Sequence, residues 1–270
     1  MSFYTSLNGL KNAQTDLNVI SHNIANSETT GFKKSHTQFA DIVAGGALAN
    51  PKLIQGIGSR LEAISQNFSQ GALQQTGSAL DLAISGDGFF NTVSATSGQT
   101  FYTRNGAFAL DGNGNVQDGS NNILQVFPTD ATGAITSTTL SNCTIPATDV
   151  AGAQFAGLTV ADDGKVTASY DDGTNIVVGC VAVASFLSPN GLRQLGSSNW
   201  AATGISGAAS YGQPNTGKFG ALMSGTLERS NVDIAEELVG LITAQRNFQA
   251  NAKAIDTASQ ISQTVINLRT

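Results

Sequence analysis

The chain has 270 residues and a formal net charge of −6, with 40% hydrophobic and only 12% charged residues. That charged fraction is about half the ~25% of an ordinary soluble domain, while the apolar share suffices for a buried core in one large domain or two smaller ones. There is no basic block and few aromatics, which argues against nucleic acid as a partner. An uncharged polar surface suits a chain that packs against copies of itself, where each buried charge would need a partner; it equally suits a secreted, turn-rich β-protein. The two cysteines, Cys143 and Cys180, are too few for a disulfide framework and read as small apolar core residues. His22 and His36 cannot by themselves form a zinc site. No run of about 18 apolar residues exists, so no membrane insertion is expected. The start "MSFYTSLNGLKNAQ" has neither the basic nor the apolar region of a signal peptide. The expectation is a cytoplasmic chain, or one exported without a cleaved signal.

Residues 2–25 predict an amphipathic helix. Phe3, Leu7, Leu10, Leu17, Ile20 and Ile24 are spaced by threes, fours or sevens, a narrow stripe like a coiled-coil seam. Asn8, Lys11, Asn12, Thr15 and Asn18 lie opposite. The stretch "ANSETTGFKK" (25–34) ends the pattern: Asn26 and Gly31 relax the helix and Phe32 begins new packing. Residues 43–70 are less regular.

Residues 70–220 are turn-rich and β-branched. "ALDLAISGDGFFNTV" places alternation at Leu80, Leu82 and Ile84 before a turn at Gly86–Gly88 and a further strand. "TFYTRNGAFALDGNGNVQ" predicts two strands around an Asn105-Gly106 turn and another turn at Asp111–Asn115. Residues 155–187 predict three strands with turns at Asp163-Gly164 and Asp172-Gly173. Residues 128–157, rich in Thr, Ala and Gly, suit an inserted lobe or loop.

Residues 230–269 predict a second helix, with Asn231 as N-cap and Asp233, Glu236 and Glu237 near the positive end of its dipole. Ile234, Leu238, Leu241, Phe248, Ala252, Ile255, Ile261, Val265 and Leu268 continue a three/four pattern. At about 1.5 Å per residue such a helix approaches ~60 Å and needs a partner, for which the first helix is the candidate. The expected fold is α+β. Residues 1–30 and 230–270 form a coiled-coil-like axial domain and 31–70 a connecting segment. Residues 71–229 form an antiparallel β-rich outer domain, with 128–184 as a small inserted lobe.

No constellation carries chemistry. "DGNGNVQD" has calcium-loop-like acids but Val116 where the loop needs glycine, so a hairpin turn is favoured. "GDGFF" lacks the lysine and helix of a phosphate loop. Asp81 and Asp87 have no nucleophile or pocket to serve. No catalytic residue, metal ligand or cofactor is expected.

Four blocks resemble the flagellar axial proteins, the rod and hook subunits: "LNVISHNIANSETTGFKKSHTQFADI", "QGALQQTGSALDLAISGDGFF", "FYTRNGAFALDGNGNV" and "SGTLERSNVDIAEELVGLITAQRNFQANAKAI". They occur in the family order and cover roughly half of the chain. "MSFYTSLNGL", "AQRNFQANAKAI" and "VINLR" are similar to hook subunits, and "QVFPTDATG" resembles the point where a hook's outer domain begins. The overall length is nearer the distal rod protein. The classes competing with a polymer subunit are a β-rich surface adhesin and a β-rich hydrolase.

The resemblance implies a subunit of a self-polymerising flagellar tube, a flexible hook that transmits torque or a rigid distal rod. The terminal helices would line its channel and the β domains its outside. It implies uncleaved export by the flagellar type III apparatus to the basal body and hook. The partners would be copies of the chain together with rod, hook-cap and hook-filament junction proteins. On this basis Phe3, Leu7, Leu10, Leu17, Ile20 and Ile24 are expected to seal against Leu238, Leu241, Phe248, Ile255, Val265 and Leu268, within or between subunits. Asn26, Gly31 and Phe32 would set the joint after the first helix. Thr29, Thr30 and Lys33 would face a neighbouring subunit.

Overall fold

A computed structural model describes residues 2–44, 55–149 and 151–267. They fall into two compact units: residues 1–27, 34–67 and 232–270 contribute to one, and residues 28–33 and 68–231 to the other.

The first unit holds helix α1 (Ser2–Ala25), strands β1 (Ser35–Ala44) and β2 (Gln55–Gln66), and helix α2 (Ile234–Asn267). Helix α1 has the bounds its periodicity predicts. It ends where polar side chains take up its last carbonyls: Asn26 Nδ2 donates to His22 O (2.9 Å) and Ser27 Oγ to Ile24 O (2.9 Å). Helix α2 starts at Ile234, and its cap is Asp233 instead of the expected Asn231. Asp233 Oδ1 accepts from the backbone N–H of Ala235 (2.8 Å) and of Glu236 (3.3 Å), while Glu236 and Glu237 fill the first turn.

The helices pack against each other and run antiparallel. Gly240 faces Ile20, Asn23 contacts Glu237, and a Cβ on Gly9 would stand 2.5 Å from Asn251 Oδ1. Buried or half-buried positions alternate by three and four along both: Leu10, Ala13, Leu17, Ile20 and Ile24 on α1, and Leu241, Ala244, Phe248, Asn251, Ile255 and Ala258 on α2. Within residues 31–70, expected as a connecting segment, strands β1 and β2 pair antiparallel and pack on α1. Their register shifts between Gln38 and Phe39 and between Ile42 and Val43. The first shift moves the sheltered side from Ser35 and Thr37 to Ala40 and Ile42, which erases a period of two.

The second unit is antiparallel throughout. Its strands begin with β3 (Leu73–Gln75), β4 (Leu82–Ser85), β5 (Phe89–Ser94), β6 (Thr100–Thr103), β7 (Ala109–Leu110), β8 (Val116–Gln117), β9 (Asn122–Phe127) and β10 (Ser141–Asn142). They continue with β11 (Phe155–Val160), β12 (Lys165–Tyr170), β13 (Asn175–Val181), β14 (Val183–Ser185), β15 (Arg193–Gly196), β16 (Asn199–Ala201), β17 (Ser210–Gly212), β18 (Ala221–Ser224) and β19 (Thr226–Glu228). The main sheet runs β11-β12-β13-β9-β5-β6-β16-β15, and β4 with β18 and β3 with β19 make two small ribbons. Strand β9 is buried along its whole length, as a central strand between β13 and β5 should be.

One core joins Leu82, Ile84, Phe90 and Leu222 to Cys143, Ile145, Val166 and Tyr170, so residues 128–184 share it with the rest of the unit. A second cluster packs Phe89, Tyr102, Phe186 and Trp200 edge to face, with Phe68 against them. Both cysteines are free and buried, and burial pushes their thiols up to about 12 and about 11. The expected turns at Gly86–Gly88, Asp111–Asn115, Asp163-Gly164 and Asp172-Gly173 all lie between strands. The Asn105-Gly106 hairpin does not form: β6 pairs with β5 and β16, and β7 with β8. Gly106 instead lies against β4, where its carbonyl accepts from Leu82 N–H (2.9 Å) and a Cβ would overlap the Leu82 carbonyl oxygen.

Candidate assembly surfaces and a buried ion cluster

The sequence-selected helix residues separate into two groups. Ile20 is buried and Leu7, Leu10, Leu17, Ile24, Leu241, Phe248 and Ile255 are half-buried in the first unit. Phe3, Leu238 and Val265 are exposed by 44%, 46% and 60%, and Leu268 lies outside the described residues. The apolar pattern of α2 therefore merges two faces. One packs on α1; the other carries Ile234, Leu238, Val239 and Ile242, all exposed. By the α1–α2 register, Ser2 stands opposite about residue 258. Residues 259–267 of α2 are exposed throughout, including Ile261, Val265 and Ile266.

The end of α1 is tied to both other parts of its unit through Asn23. Its Nδ2 donates to Ser35 O (2.8 Å) and Glu237 Oε2 (3.1 Å), and its Oδ1 accepts from Ser35 N–H (2.9 Å). This buried amide was not singled out by sequence reasoning, although an asparagine beside an apolar stripe was the available sign. Close by, α1, β1 and the start of α2 enclose a cavity of about 410 Å³ with Asp16, Lys34, Glu236 and Glu237 among its lining residues. Lys34 Nζ lies 2.9 Å from Glu236 Oε2 and 3.8 Å from Glu237 Oε1, and Asp16 accepts from the Thr37 hydroxyl (2.6 Å).

In the second unit, the segment after α1 is locked in place. Asn26 caps the helix as described, and Gly31 follows with φ +67°, its N–H donating to the Glu228 carbonyl (2.8 Å). A Cβ on Gly31 would come within 2.5 Å of Asn105 N. Phe32 is buried, Thr29 O accepts from Phe32 N–H, and Thr30 O accepts from the Ser198 hydroxyl. Lys33, expected to face a neighbouring subunit, is instead fully buried. Its Nζ donates to Glu228 Oε1 (2.6 Å) and Ser69 O (2.7 Å).

Glu228 is itself fully buried and also receives Arg104 Nη1 (3.2 Å) and Gly71 N–H (2.8 Å). Arg104 adds Gly86 O (2.9 Å) through Nη2 and stacks over Phe89. Burial pushes the Lys33 ammonium down from its ordinary range, and the nearby Glu228 carboxylate opposes that shift. The same two causes act in the same order on Arg104. Two cations thus share one carboxylate, and Ser69 O, Gly71 N–H and Gly86 O add backbone contacts, while the buried Arg104 Nε has no hydrogen-bond partner among the described residues. The cluster can hold the two chain segments around residues 31–33 and 228 together.

Three flagellar family profiles match in order along the chain. They are described as flagella basal body rod protein (residues 3–33), flagellar hook protein FlgE/F/G D1 domain (83–168) and flagellar basal body rod FlgEFG protein C-terminal (223–268). The chain is 38% identical to the flagellar basal-body rod protein FlgG of Bacillus subtilis, over 99% of this chain and 98% of that one. It is 33% identical to FlgG of Agrobacterium fabrum over 95% of each. It is 29% identical to the flagellar hook protein FlgE of Escherichia coli over the whole of both.

Proposed function

Since the chain belongs to the flagellar basal-body rod and hook protein family, we propose that it is a hook subunit, polymerising with copies of itself into a flexible tube that passes torque outward from the rod. The observation that carries self-assembly is the apolar surface left open on α2: Leu238, Val239, Ile242, Val265 and Ile266 are 46–66% exposed. Scattered exposed side chains are ordinary, but these gather in two groups towards the two ends of one helix and call for neighbours. The three/four seam between α1 and α2 extends naturally into a coiled-coil layer once further copies cover those faces. Contacts that use different patches on the two copies do not close on themselves and build a filament. With only 12% charged residues, few fixed ion pairs resist sliding between subunits.

The hook assignment is supported by "MSFYTSLNGL", "AQRNFQANAKAI" and "VINLR" and by an alignment with the E. coli hook protein that runs the length of both chains. The rod reading has its own support in length. The B. subtilis FlgG alignment spans 287 residues, close to this chain, whereas the E. coli hook alignment spans 410. The structural role and uncleaved type III export belong to either reading, whereas contacts with hook-cap and hook-filament junction proteins belong to the hook reading. Basal bodies purified from cells lacking this chain separate the two. Complete rods without hooks are expected; rods truncated at their distal end would replace the hook reading with the rod.

A further inference from the structure

We propose that the cavity between α1, β1 and the start of α2 is a socket for Arg246 of a second copy of this chain. The inference rests on the polymer reading above and adds a specific contact to it. Three carboxylates, Asp16, Glu236 and Glu237, line the cavity with the ammonium of Lys34. Three carboxylates against one ammonium give these four groups two formal negative charges in excess. Lys34 is divided between Glu236 and Glu237, and the side chain of Glu237 is only 8% exposed. A partly buried carboxylate that shares its cation gains from a second one.

The walls are apolar where Ile20 and Phe39 line the space, and Gly240 adds no side chain of its own. Acid with apolar walls suits a long cationic side chain, whose methylenes pack while its head reaches the carboxylates. The planar fork of arginine can engage two carboxylates at once.

The matching group lies on the same helix. Arg246 is exposed and makes no ion pair among the described residues, and Lys253 repeats it seven residues on. Exposed Val239 and Ile242 lie on the turns before Arg246, so a docked copy would exclude water around the pair. Glu236 and Arg246 are ten residues apart, about 15 Å along the helix axis. A copy displaced along that axis brings base to acid while leaving its own acid free for the next copy. Such a contact is heterologous and propagates.

Charge reversal in the purified full-length chain tests this by pelleting and electron microscopy. Glu236→Arg and Arg246→Glu alone should each raise the critical concentration for polymerisation about tenfold. The double variant should return to within about twofold of wild type. An equimolar mixture of the two single variants should also polymerise, because each then offers the socket its partner's knob requires. Both sites are exposed, so unchanged helical dichroism will show that the first unit, which holds both, is folded. Wild-type assembly by the single variants would overturn the socket and leave the polymer reading standing. Double variants and mixtures as impaired as the singles would do the same. A wild-type chain that stays monomeric at every concentration would overturn both.

Discussion

Lys33 Nζ lies 2.6 Å from Glu228 Oε1, and neither side chain reaches solvent. The pair spans 195 residues of sequence and joins the segment just after α1 to the segment just before α2. Because Arg104 also binds Glu228, the single carboxylate matters more than either cation. Glu228→Gln should lower the stability of the second unit by about 3–5 kcal/mol, since two buried cations lose their counter-ion. Lys33→Met should cost less, because Arg104 still neutralises Glu228 and one burial penalty disappears. Urea unfolding followed by the single buried tryptophan, Trp200, measures both.

Gly31 and Gly77 both have positive φ, +67° and +80°, yet their surroundings differ. Alanine at Gly77 meets nothing within 4 Å and should cost only the left-handed backbone penalty, about 1–2 kcal/mol. Alanine at Gly31 meets the backbone of Arg104 and Asn105 at 2.5–2.6 Å as well. Its cost should exceed that of Gly77→Ala by roughly 2 kcal/mol or more in the same unfolding assay. Equal costs would show that the 104–105 segment can move away from Gly31.

Four turns repeat one arrangement in which an aspartate carboxylate accepts from the backbone N–H groups two and four residues on, at Asp111, Asp118, Asp130 and Asp149. The Asn115 amide holds the Asp111 carboxyl below its usual range, and the Thr132 hydroxyl does so for Asp130, with backbone N–H groups adding to each. Their folded values lie below the unfolded one of ~3.9. Their contribution is therefore fully present above pH ~3.9 and fades as pH falls through the lowered folded values. Asp111→Asn and Asp130→Asn keep the Oδ1 that accepts from the backbone and remove the proton site, Asp111 also losing the Oδ2 that accepts from Asn115. The double variant should show a flatter loss of stability between about pH 4 and pH 2 than wild type.

The sequence was readable where one local rule dominates. Helix α1 and the Asp-Gly turns follow from spacing and backbone freedom, and the structure has them in the expected places. The β1–β2 pairing was hidden by its register shifts, which exchange inward and outward positions partway along. Asn105-Gly106 carries a hairpin's residues, but its glycine serves a close approach to Leu82. On α2, apolar residues on two faces read as one stripe, so Leu238 and Leu241 could not be told apart without the position of α1. The buried cluster was illegible for another reason. Glu228 meets Arg104 across 124 residues and Lys33 across 195, and no local pattern encodes such pairings. In a chain with so few charges, a lysine directly after buried Gly31 and Phe32 was the one available hint.

The central claim is self-assembly through the helices of the first unit, where Leu238 and Ile242 are 46% and 50% exposed on the face of α2 that does not pack on α1. Leu238→Asp or Ile242→Asp places a carboxylate where apolar contact with a second copy is needed and should abolish polymer while leaving the helical dichroism and the Trp200 melt of the second unit unchanged. Electron microscopy of the concentrated wild-type and variant chains tests this most directly. The account predicts tubes from the wild type and only discrete particles from either variant. Discrete particles from the wild type, or normal tubes from the variants, would contradict it.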